Sequence, residues 1–284
     1  MNRYIDTHAH YDMAAFDDDR DSLLRKLNDA GIEKIICPAV SYDGIRTMMD
    51  TLKHHPDVYF ALGQHPKYLL GKDRKQLHVC KTPKYKDLQH YLTNAQNVLY
   101  DIKHRIEEVS SLLHSDRVCA VGEVGLDYSY DPGPDERALQ SAVFRSYIET
   151  ALKQKLPMIL HIRDAHEDAL NILASYNTRF TGVIHCFQGN KALADWYIGL
   201  GFLIGIGTSI YHHPALLETV RDIDLDDIVL ETDSPYLAAA GITDERNTSL
   251  SLPLIAESIA KEKGIPTDLI AEATYDNSRK VFNI

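Results

Sequence analysis

Eight short apolar segments, each followed by a helix-like segment, constrain the fold of this chain more than any other feature. The apolar segments are continuous runs rich in β-branched residues and leucine, which is typical of parallel strands covered on both faces. Periodicity and turn residues together predict where they begin and end. The predicted strands are Tyr4–Asp6, Lys34–Cys37, Val58–Leu62, Val118–Gly122, Met158–Leu160, Gly182–Ile184, Phe202–Gly205 and Ile228–Glu231.

The segments between these strands have apolar residues at helical spacing. Leu23, Leu24 and Leu27 lie on one face of the first predicted helix, and Gly31 provides a stop signal after it. Ser41 is of a type that caps a helix at its start. The predicted helices cover about Asp18–Ala30, the segment from Ser41 to before Pro56, Asn97–Leu113, Asp135–Gln154, Ala165–Tyr176, a segment with Trp196, a short one after Pro214, and two at the C-terminal end.

Strands and helices that alternate in this way predict an α/β fold of the (β/α)8 TIM-barrel type. The 284 residues suit one such barrel, and the chain shows neither an internal repeat nor a domain boundary, so we expect a single domain over residues 1–284. A doubly wound open sheet is the alternative. No glycine-rich phosphate loop follows the first strand, which disfavours that alternative.

Histidines and carboxylates, all common metal ligands, follow five of the eight predicted strands. In a barrel of parallel strands the carboxyl ends open on one face, so these side chains are expected to meet there. Taken alone, each would be explained as a hydrogen-bonded core histidine or a capping carboxylate; their coincidence at five strand ends favours a metal centre. The candidate ligands are His8, His10, Glu123, His161, His185 and Asp233.

Six ligands are too many for one tetrahedral ion, and they suit two divalent ions bridged by a carboxylate and a water or hydroxide. Glu123 is well placed in the sequence to be that carboxylate. Metal coordination makes a bridging hydroxide nucleophilic near neutral pH. The expected chemistry is therefore hydrolysis without an organic cofactor, and mixed histidine and carboxylate ligands admit Zn, Mn, Mg or Fe.

Charge and composition restrict the function classes further. The net charge of −11 argues against a sequence-reading DNA-binding module, but bound cations can neutralise the site of an enzyme that acts on phosphodiesters. No apolar run reaches membrane-spanning length, and the N-terminus has no signal-peptide pattern. The four cysteines form no CxxC pair, and we expect buried free thiols in a cytoplasmic protein.

Seven motifs resemble those of the TatD family of metal-dependent deoxyribonucleases, within the amidohydrolase-like barrel superfamily. They occur in the family's order, and the runs around Glu123 and Asp233 are the most specific. Ile162 stands where the family commonly has serine, and Arg246–Thr248 lacks a frequent proline; neither change affects a proposed ligand. The matching segments are Ile5–His10, Ala61–Pro66, Gly122–Tyr128, Leu156–Ala165, His185–Gly189, Glu231–Leu237 and Asn277–Phe282.

This resemblance implies two divalent ions that share Glu123. One would also be bound by His8, His10 and Asp233, and the other by His161 and His185. It further implies hydrolysis of DNA phosphodiesters, often as a 3′-to-5′ exonuclease acting on single-stranded DNA or 3′ ends, with Asp233 as both ligand and proton acceptor.

Two further residues are expected to contact the substrate phosphate. His65 and Arg163 follow the third and fifth predicted strands, and the arginine fork suits a phosphate. For Arg163, a salt bridge with Asp164 or with a loop carboxylate is the open alternative. No obligate protein partner is evident from the sequence.

An inserted segment at about residues 67–96 is longer than the family requires. Residues 67–117 contain 10 Lys or Arg against 6 Asp or Glu, in a chain that is acidic overall. Tyr68, Tyr85 and Tyr91 lie among the lysines. Our hypothesis is that this segment binds a single strand by charge and stacking; a solvated loop is the alternative.

Two other functions compete with DNA hydrolysis. An amidohydrolase-type enzyme would act on an amide, lactone or amine-bearing small molecule, and many such enzymes have a carboxylated lysine at the fourth strand. Glu123 occupies that position here, which favours the phosphodiesterase. A barrel that binds metal or nucleic acid without catalysis would be expected to lack some of the six ligands.

Overall fold

The computed structural model describes residues 2–69, 95–238 and 246–284, which contain one sheet of eight parallel strands in chain order. The first and last strands meet where the Thr7 N–H donates to the Leu230 carbonyl (3.1 Å) and where Ala9 bridges Ser234, so the barrel is nearly closed. The strands are β1 (Tyr4–Asp6), β2 (Ile32–Pro38), β3 (Val58–Leu62), β4 (Val118–Asp127), β5 (Met158–Arg163), β6 (Gly182–His185), β7 (Phe202–Ile206) and β8 (Ile228–Leu230).

An α-helix lies between each pair of successive strands, and two more follow the last strand, which confirms the TIM-type barrel. Ser41 caps a short 3-10 turn, because its hydroxyl accepts a hydrogen bond from the Gly44 N–H. The helix predicted from Ser41 begins after that turn. The α-helices are α1 (Arg20–Asp29), α2 (Ile45–Thr51), α3 (Ala95–Leu112), α4 (Pro134–Gln154), α5 (His166–Ala174), α6 (Lys191–Leu200), α7 (Ala215–Asp222), α8 (Leu252–Lys263) and α9 (Thr267–Phe282).

Strand β4 is five residues longer than predicted, and the predicted end at Gly122 was wrong. The ladder with β5 continues because Leu126 pairs with Ile162, and both side chains are buried. Glu123 and His161 therefore lie inside strands, not in the loops after them. Residues within a hydrogen-bonded ladder have less freedom than loop residues, which favours a preorganised site.

The barrel interior is filled with small and branched apolar side chains from six strands. At the end of the barrel opposite the polar residues, Val281 and Phe282 of α9 pack close to the first residues of β3, β4 and β5. The interior is thus a packed core, and the carboxyl ends of the strands remain for polar groups. The interior residues include Ile36, Ala61, Ala120, Ile159, Val183 and Val229.

Most of the predicted insert lies outside the described residues, including Tyr85 and Tyr91. Of its edges, Lys67 and Tyr68 belong to a 3-10 turn, and Ala95 begins α3. Within the described part of the chain, no helix is long and apolar enough to cross a membrane. The cysteines described there, Cys37, Cys119 and Cys186, are free thiols, and Cys80 lies outside.

Candidate metal centre

The loop after β1 and the loop after β8 are joined by backbone hydrogen bonds. The Asp233 N–H donates to the His8 carbonyl (2.8 Å), and the His10 N–H donates to the Ser234 carbonyl (2.7 Å). Asp233 has a left-handed backbone (φ 57°), a conformation that costs energy for a residue other than glycine. These bonds therefore bring the two ends of the barrel sequence together at one point.

Three side chains from these two loops form the first donor group. The Nε2 atoms of His8 and His10 are 3.2 Å apart, and Asp233 Oδ1 lies 3.3 Å from the second and 3.8 Å from the first. Ligands at metal bond lengths of about 2.0–2.2 Å are separated from one another by roughly 3.0–3.5 Å. The three donors therefore fit one divalent ion.

Glu123 connects this group with a second one. Its Oε2 lies 3.5 Å from His8 Nε2, whereas its Oε1 lies 2.8 Å from His161 Nδ1 and 3.7 Å from His65 Nε2. The two carboxylate oxygens thus face different histidines, as a bridging ligand requires. Burial raises the pKa of Glu123, but the histidines around it, first His65 and His8, hold that pKa well below its usual range.

The second donor group consists of Glu123, His161 and His65. The imidazole rings of His65 and His161 have centroids 4.1 Å apart. Burial, together with the neighbouring His161, lowers the pKa of His65 to about 3, so its imidazole is neutral and able to bind a metal. His65 thus lies within the donor cluster; the phosphate contact predicted for it stays a prediction.

His185 lies near both donor groups and packs against His8 of the first group. Its ring stacks on the His8 ring (centroids 3.4 Å), and its Nε2 is 3.9 Å from Glu123 Oε1 and 3.8 Å from Asp233 Oδ1. His8, Glu123 and His185 make a further set of donors that could hold an ion. All six candidate ligands therefore converge, although His161 is grouped with His65 and not with His185.

A buried glutamate that sequence reasoning did not single out orients His185. Glu231 Oε1 lies 3.0 Å from His185 Nδ1 and accepts a hydrogen bond from the Cys186 N–H (2.5 Å). Burial lowers the pKa of His185, but the Glu231 carboxylate outweighs it, and the pKa is raised to about 10. Such a contact directs Nε2 toward the donor cluster. The sequence signal for Glu231 was its position directly after β8, two residues before Asp233.

Glu231 reaches His185 across β7, at a position where the intervening strand has a glycine. A Cβ atom at Gly205 would lie 2.4 Å from Glu231 Oε2. Any side chain there would displace the carboxylate. Gly205 therefore supports the centre indirectly, because it leaves room for the Glu231 carboxylate.

Asp127, at the end of β4, supports His161 in a similar way. Its Oδ2 lies 3.3 Å from His161 Nε2, and its Oδ1 accepts hydrogen bonds from the N–H and hydroxyl of Ser129. Burial lowers the pKa of His161, but the hydrogen bonds with Asp127 and Glu123 raise it by more than burial lowers it, so the net shift is upward. Asp127 thus fixes both the loop after β4 and the orientation of His161.

Asp6 holds the backbone beneath the first donor group. Its carboxylate accepts hydrogen bonds from the N–H groups of His8 (3.2 Å) and Thr232 (3.1 Å) and from the hydroxyls of Thr232 and Ser249 (both 2.6 Å). Burial raises its pKa to about 7, although these hydrogen bonds oppose the shift. Asp6 therefore connects three loops without facing the mouth of the barrel.

Arg163 is the last residue of β5, two positions after His161, and its side chain is exposed. Alternate strand residues point to the same face, so Arg163 lies above His161 at the mouth. Among the described residues its guanidinium forms no hydrogen bond or ion pair, and the alternative of a salt bridge with Asp164 is not observed.

A parallel eight-stranded barrel with histidines and carboxylates converging at its mouth defines the class of metal-dependent barrel hydrolases. Solved structures share the architecture. An uncharacterised amidohydrolase from Saccharomyces cerevisiae has a TM-score of 0.83 at 15% identity, covering 99% of this chain and 100% of that one, which shows the fold alone.

The profile described as "TatD related DNase" matches residues 5–283, and the chain belongs to the TatD family of metal-dependent hydrolases. The metal-dependent hydrolase YabD of Bacillus subtilis is 28% identical over 99% of both chains. The putative deoxyribonuclease tatdn3 of Danio rerio is 26% identical over 99% of this chain and 97% of its own. The structure of YjjV, a TatD homologue from Escherichia coli, has a TM-score of 0.78 at 27% identity, covering 99% and 98%.

Proposed function

We propose that this chain hydrolyses DNA phosphodiester bonds at a centre of two divalent ions, releasing nucleotides from the 3′ ends of single strands. The observation that carries the proposal is the position of Glu123, whose two oxygens face separate groups of histidines. The description of the matching family profile and the name of the relative from Danio rerio support DNA as the substrate. Zn, Mn, Mg and Fe all suit the donor set.

In this proposal His8, His10 and Asp233 would hold one ion, His161 would hold the other, and Glu123 would be shared between them. His65 and His185 lie close enough to complete the coordination of the centre. When bound, the ions supply an activated water and neutralise negative charge on the phosphoryl oxygens. The protein supplies fixed donors on β4, β5 and β6, so little reorganisation accompanies the reaction.

Asp233 is the group that accepts the proton of the attacking water. Burial raises its pKa, but the hydrogen bond with His10 and the charges of the nearby histidines outweigh burial, so its pKa is lowered and the carboxylate is ionised. Its side chain is 19% exposed, whereas that of Glu123 is only 3% exposed. Asp233 therefore both contacts the donor cluster and faces the mouth from which water and substrate enter.

Arg163 is assigned to the substrate phosphate. Its guanidinium lies above His161, is exposed and has no protein partner among the described residues. A bidentate contact would orient the scissile phosphate toward the ions. Within the predicted insert, residues 67–96, the basic charge supports a second contact with the strand; deleting the segment and finding unchanged activity and salt dependence would exclude that contact.

The direct test measures nucleotide release from a labelled single-stranded oligonucleotide, with each ion restored in turn to protein stripped of metal. We expect release only with a divalent ion, and its loss in both His10→Ala and Asp233→Ala. The exposed His54, near the amino end of β3, provides the control: His54→Ala should retain activity. Turnover of a lactone or amide with no release from any DNA would overturn the proposal.

A further inference from the structure

Two exposed aromatic rings border the donor cluster at the mouth of the barrel. Tyr68 and Tyr236 are 42% and 48% exposed. One other aromatic residue in the described part of the chain has comparable exposure, namely Trp196 at 65%, on the outer helix α6. Large aromatic side chains exposed together beside a catalytic cleft are characteristic of binding surfaces.

Each of the two tyrosines contacts a histidine of the centre. The Tyr236 ring lies edge-to-face with His10 (centroids 6.0 Å, interplanar 72°), and the Tyr68 ring lies similarly against His65 (5.7 Å, 69°). The hydroxyl of Tyr236 donates to Met13 Sδ (3.3 Å), which limits the movement of this ring. Each ring thus lies directly against a histidine of the proposed donor cluster.

The two rings border different parts of the donor cluster. Tyr68, after β3, contacts His65, whose Nε2 lies 3.7 Å from Glu123 Oε1. Tyr236, after β8, contacts His10, whose Nε2 lies 3.3 Å from Asp233 Oδ1. A base that stacks on either ring would lie next to the donors.

Charge attracts DNA to only a small part of this protein. The chain carries a net charge of −11, so a polyanion is attracted only near local basic groups such as Arg163 and the predicted insert, and near bound cations. A contribution that does not depend on charge would strengthen binding. Stacking of bases on aromatic rings is such a contribution, and it is tolerant of sequence because every base has a π face.

We propose that Tyr68 and Tyr236 form a stacking platform for the unpaired terminal bases of single-stranded DNA, which places the adjacent phosphate over the donor cluster. The inference rests on the proposed DNA hydrolysis and names the two residues by which the site would select single strands. A base in a duplex must first leave its stack and its partner, which costs energy, so the platform selects single strands and frayed ends. It recognises bases as aromatic planes and does not read their sequence.

The test compares two substrates that differ only in their terminal bases. One is a single-stranded oligonucleotide; the other is the same strand with two abasic nucleotides at each end, so that all phosphates are retained. The ratio of their kcat/KM values measures what the bases contribute. It is determined for wild type, Tyr68→Leu, Tyr236→Leu and the corresponding Phe variants. The matched control is Trp196→Leu, which removes an exposed aromatic ring on the outer helix α6.

We expect wild type to prefer the normal strand by about 5- to 150-fold, the range that one stacked base supplies. Each Leu variant should reduce this ratio at least threefold, whereas the Phe variants and Trp196→Leu should retain it. An unchanged ratio in both Leu variants, or an equal loss in Trp196→Leu, would overturn the platform. If wild type cleaves neither strand with any ion, the proposed function is wrong, and the stacking platform, which rests on it, is wrong as well.

Discussion

Asp6 shows how a single residue can control the centre without facing it. It accepts hydrogen bonds from His8, Thr232 and Ser249, and so joins the loops that carry the first donor group. Its carboxylate is completely buried, and burial raises its pKa from 3.8 to about 7. The folded protein therefore keeps a proton on Asp6 over a pH range in which the unfolded chain has already lost it.

This shift predicts a pH dependence of stability with a definite sign. The contribution of Asp6 is fully present below about pH 4 and is lost as the pH rises through about 7, because ionising the buried carboxylate is unfavourable. Asp6→Asn retains an acceptor but cannot ionise. The stability of wild type relative to this variant should therefore fall by up to about 4 kcal/mol between pH 4 and pH 8.

Urea unfolding in the presence of a chelator measures this difference. Asp226→Asn, at an exposed carboxylate before β8, is the control and is unfolded over the same pH range. A difference between wild type and Asp6→Asn that stays constant over this range would contradict the assignment.

At the scale of elements, three adjacent strands cooperate to position one imidazole. Glu231 follows β8, passes over Gly205 of β7 and contacts His185 at the end of β6. The parallel register pairs Gly205 with Val229 and thereby fixes where the glutamate crosses. A glycine in the middle of a strand is unfavourable by itself, so its presence here is explained by the close approach of Glu231.

Gly205→Ala should weaken metal binding about 10- to 100-fold, the usual cost of losing an outer partner of a metal-binding histidine. The added Cβ would lie 2.4 Å from Glu231 Oε2 and displace it. Gly199→Ala is the control, because no atom lies within 4 Å of a Cβ at that position. Calorimetric titration with Mn²⁺ and far-UV circular dichroism measure affinity and fold. Equal affinities in the two variants would show that Glu231 does not support the centre.

The strands and the donor residues were predictable for a simple physical reason. Strands covered on both faces are continuous apolar runs, and β1 and β3 have the predicted bounds. The polar residue that follows such a run stands out, as His8 and Asp233 do. The continuation of β4 was missed because the polar Glu123 and two glycines interrupt its apolar pattern.

The supporting residues were not predictable in the same way. Whether Glu231 contacts His185, or Asp127 contacts His161, depends on the register between neighbouring strands, which one strand's sequence does not contain. The grouping of His65 with His161 likewise depends on how the side chains turn within the finished barrel. The sequence therefore indicated which polar residues lie at the mouth, whereas their grouping, including the place of His65 among the donors, required the fold.

At the scale of the whole molecule, metal binding and protonation compete for the same atoms. The pKa values of His10 and His161 are raised, and that of His185 is raised to about 10, because carboxylates outweigh the effect of burial. The His185 imidazole therefore carries a proton in the metal-free protein at pH 7. A divalent ion requires its histidine ligands neutral, so loading the centre must release protons.

Metal affinity should therefore rise with pH between 6 and 8, by up to about tenfold per pH unit for each proton released. Calorimetric titration in buffers of different ionisation enthalpy counts the protons released, and we expect at least one, from His185. The exposed His54→Ala variant should release the same number as wild type. A heat of binding that does not depend on the buffer would contradict this competition.

Counting bound metal tests most directly whether Glu123 bridges two divalent ions. Protein purified without added metal is loaded to saturation with one ion type, desalted and analysed by mass spectrometry. We expect two equivalents in wild type, two in the exposed control Glu257→Gln, and at most one in Glu123→Gln. One equivalent in wild type, or two in Glu123→Gln, would contradict a centre bridged by this residue.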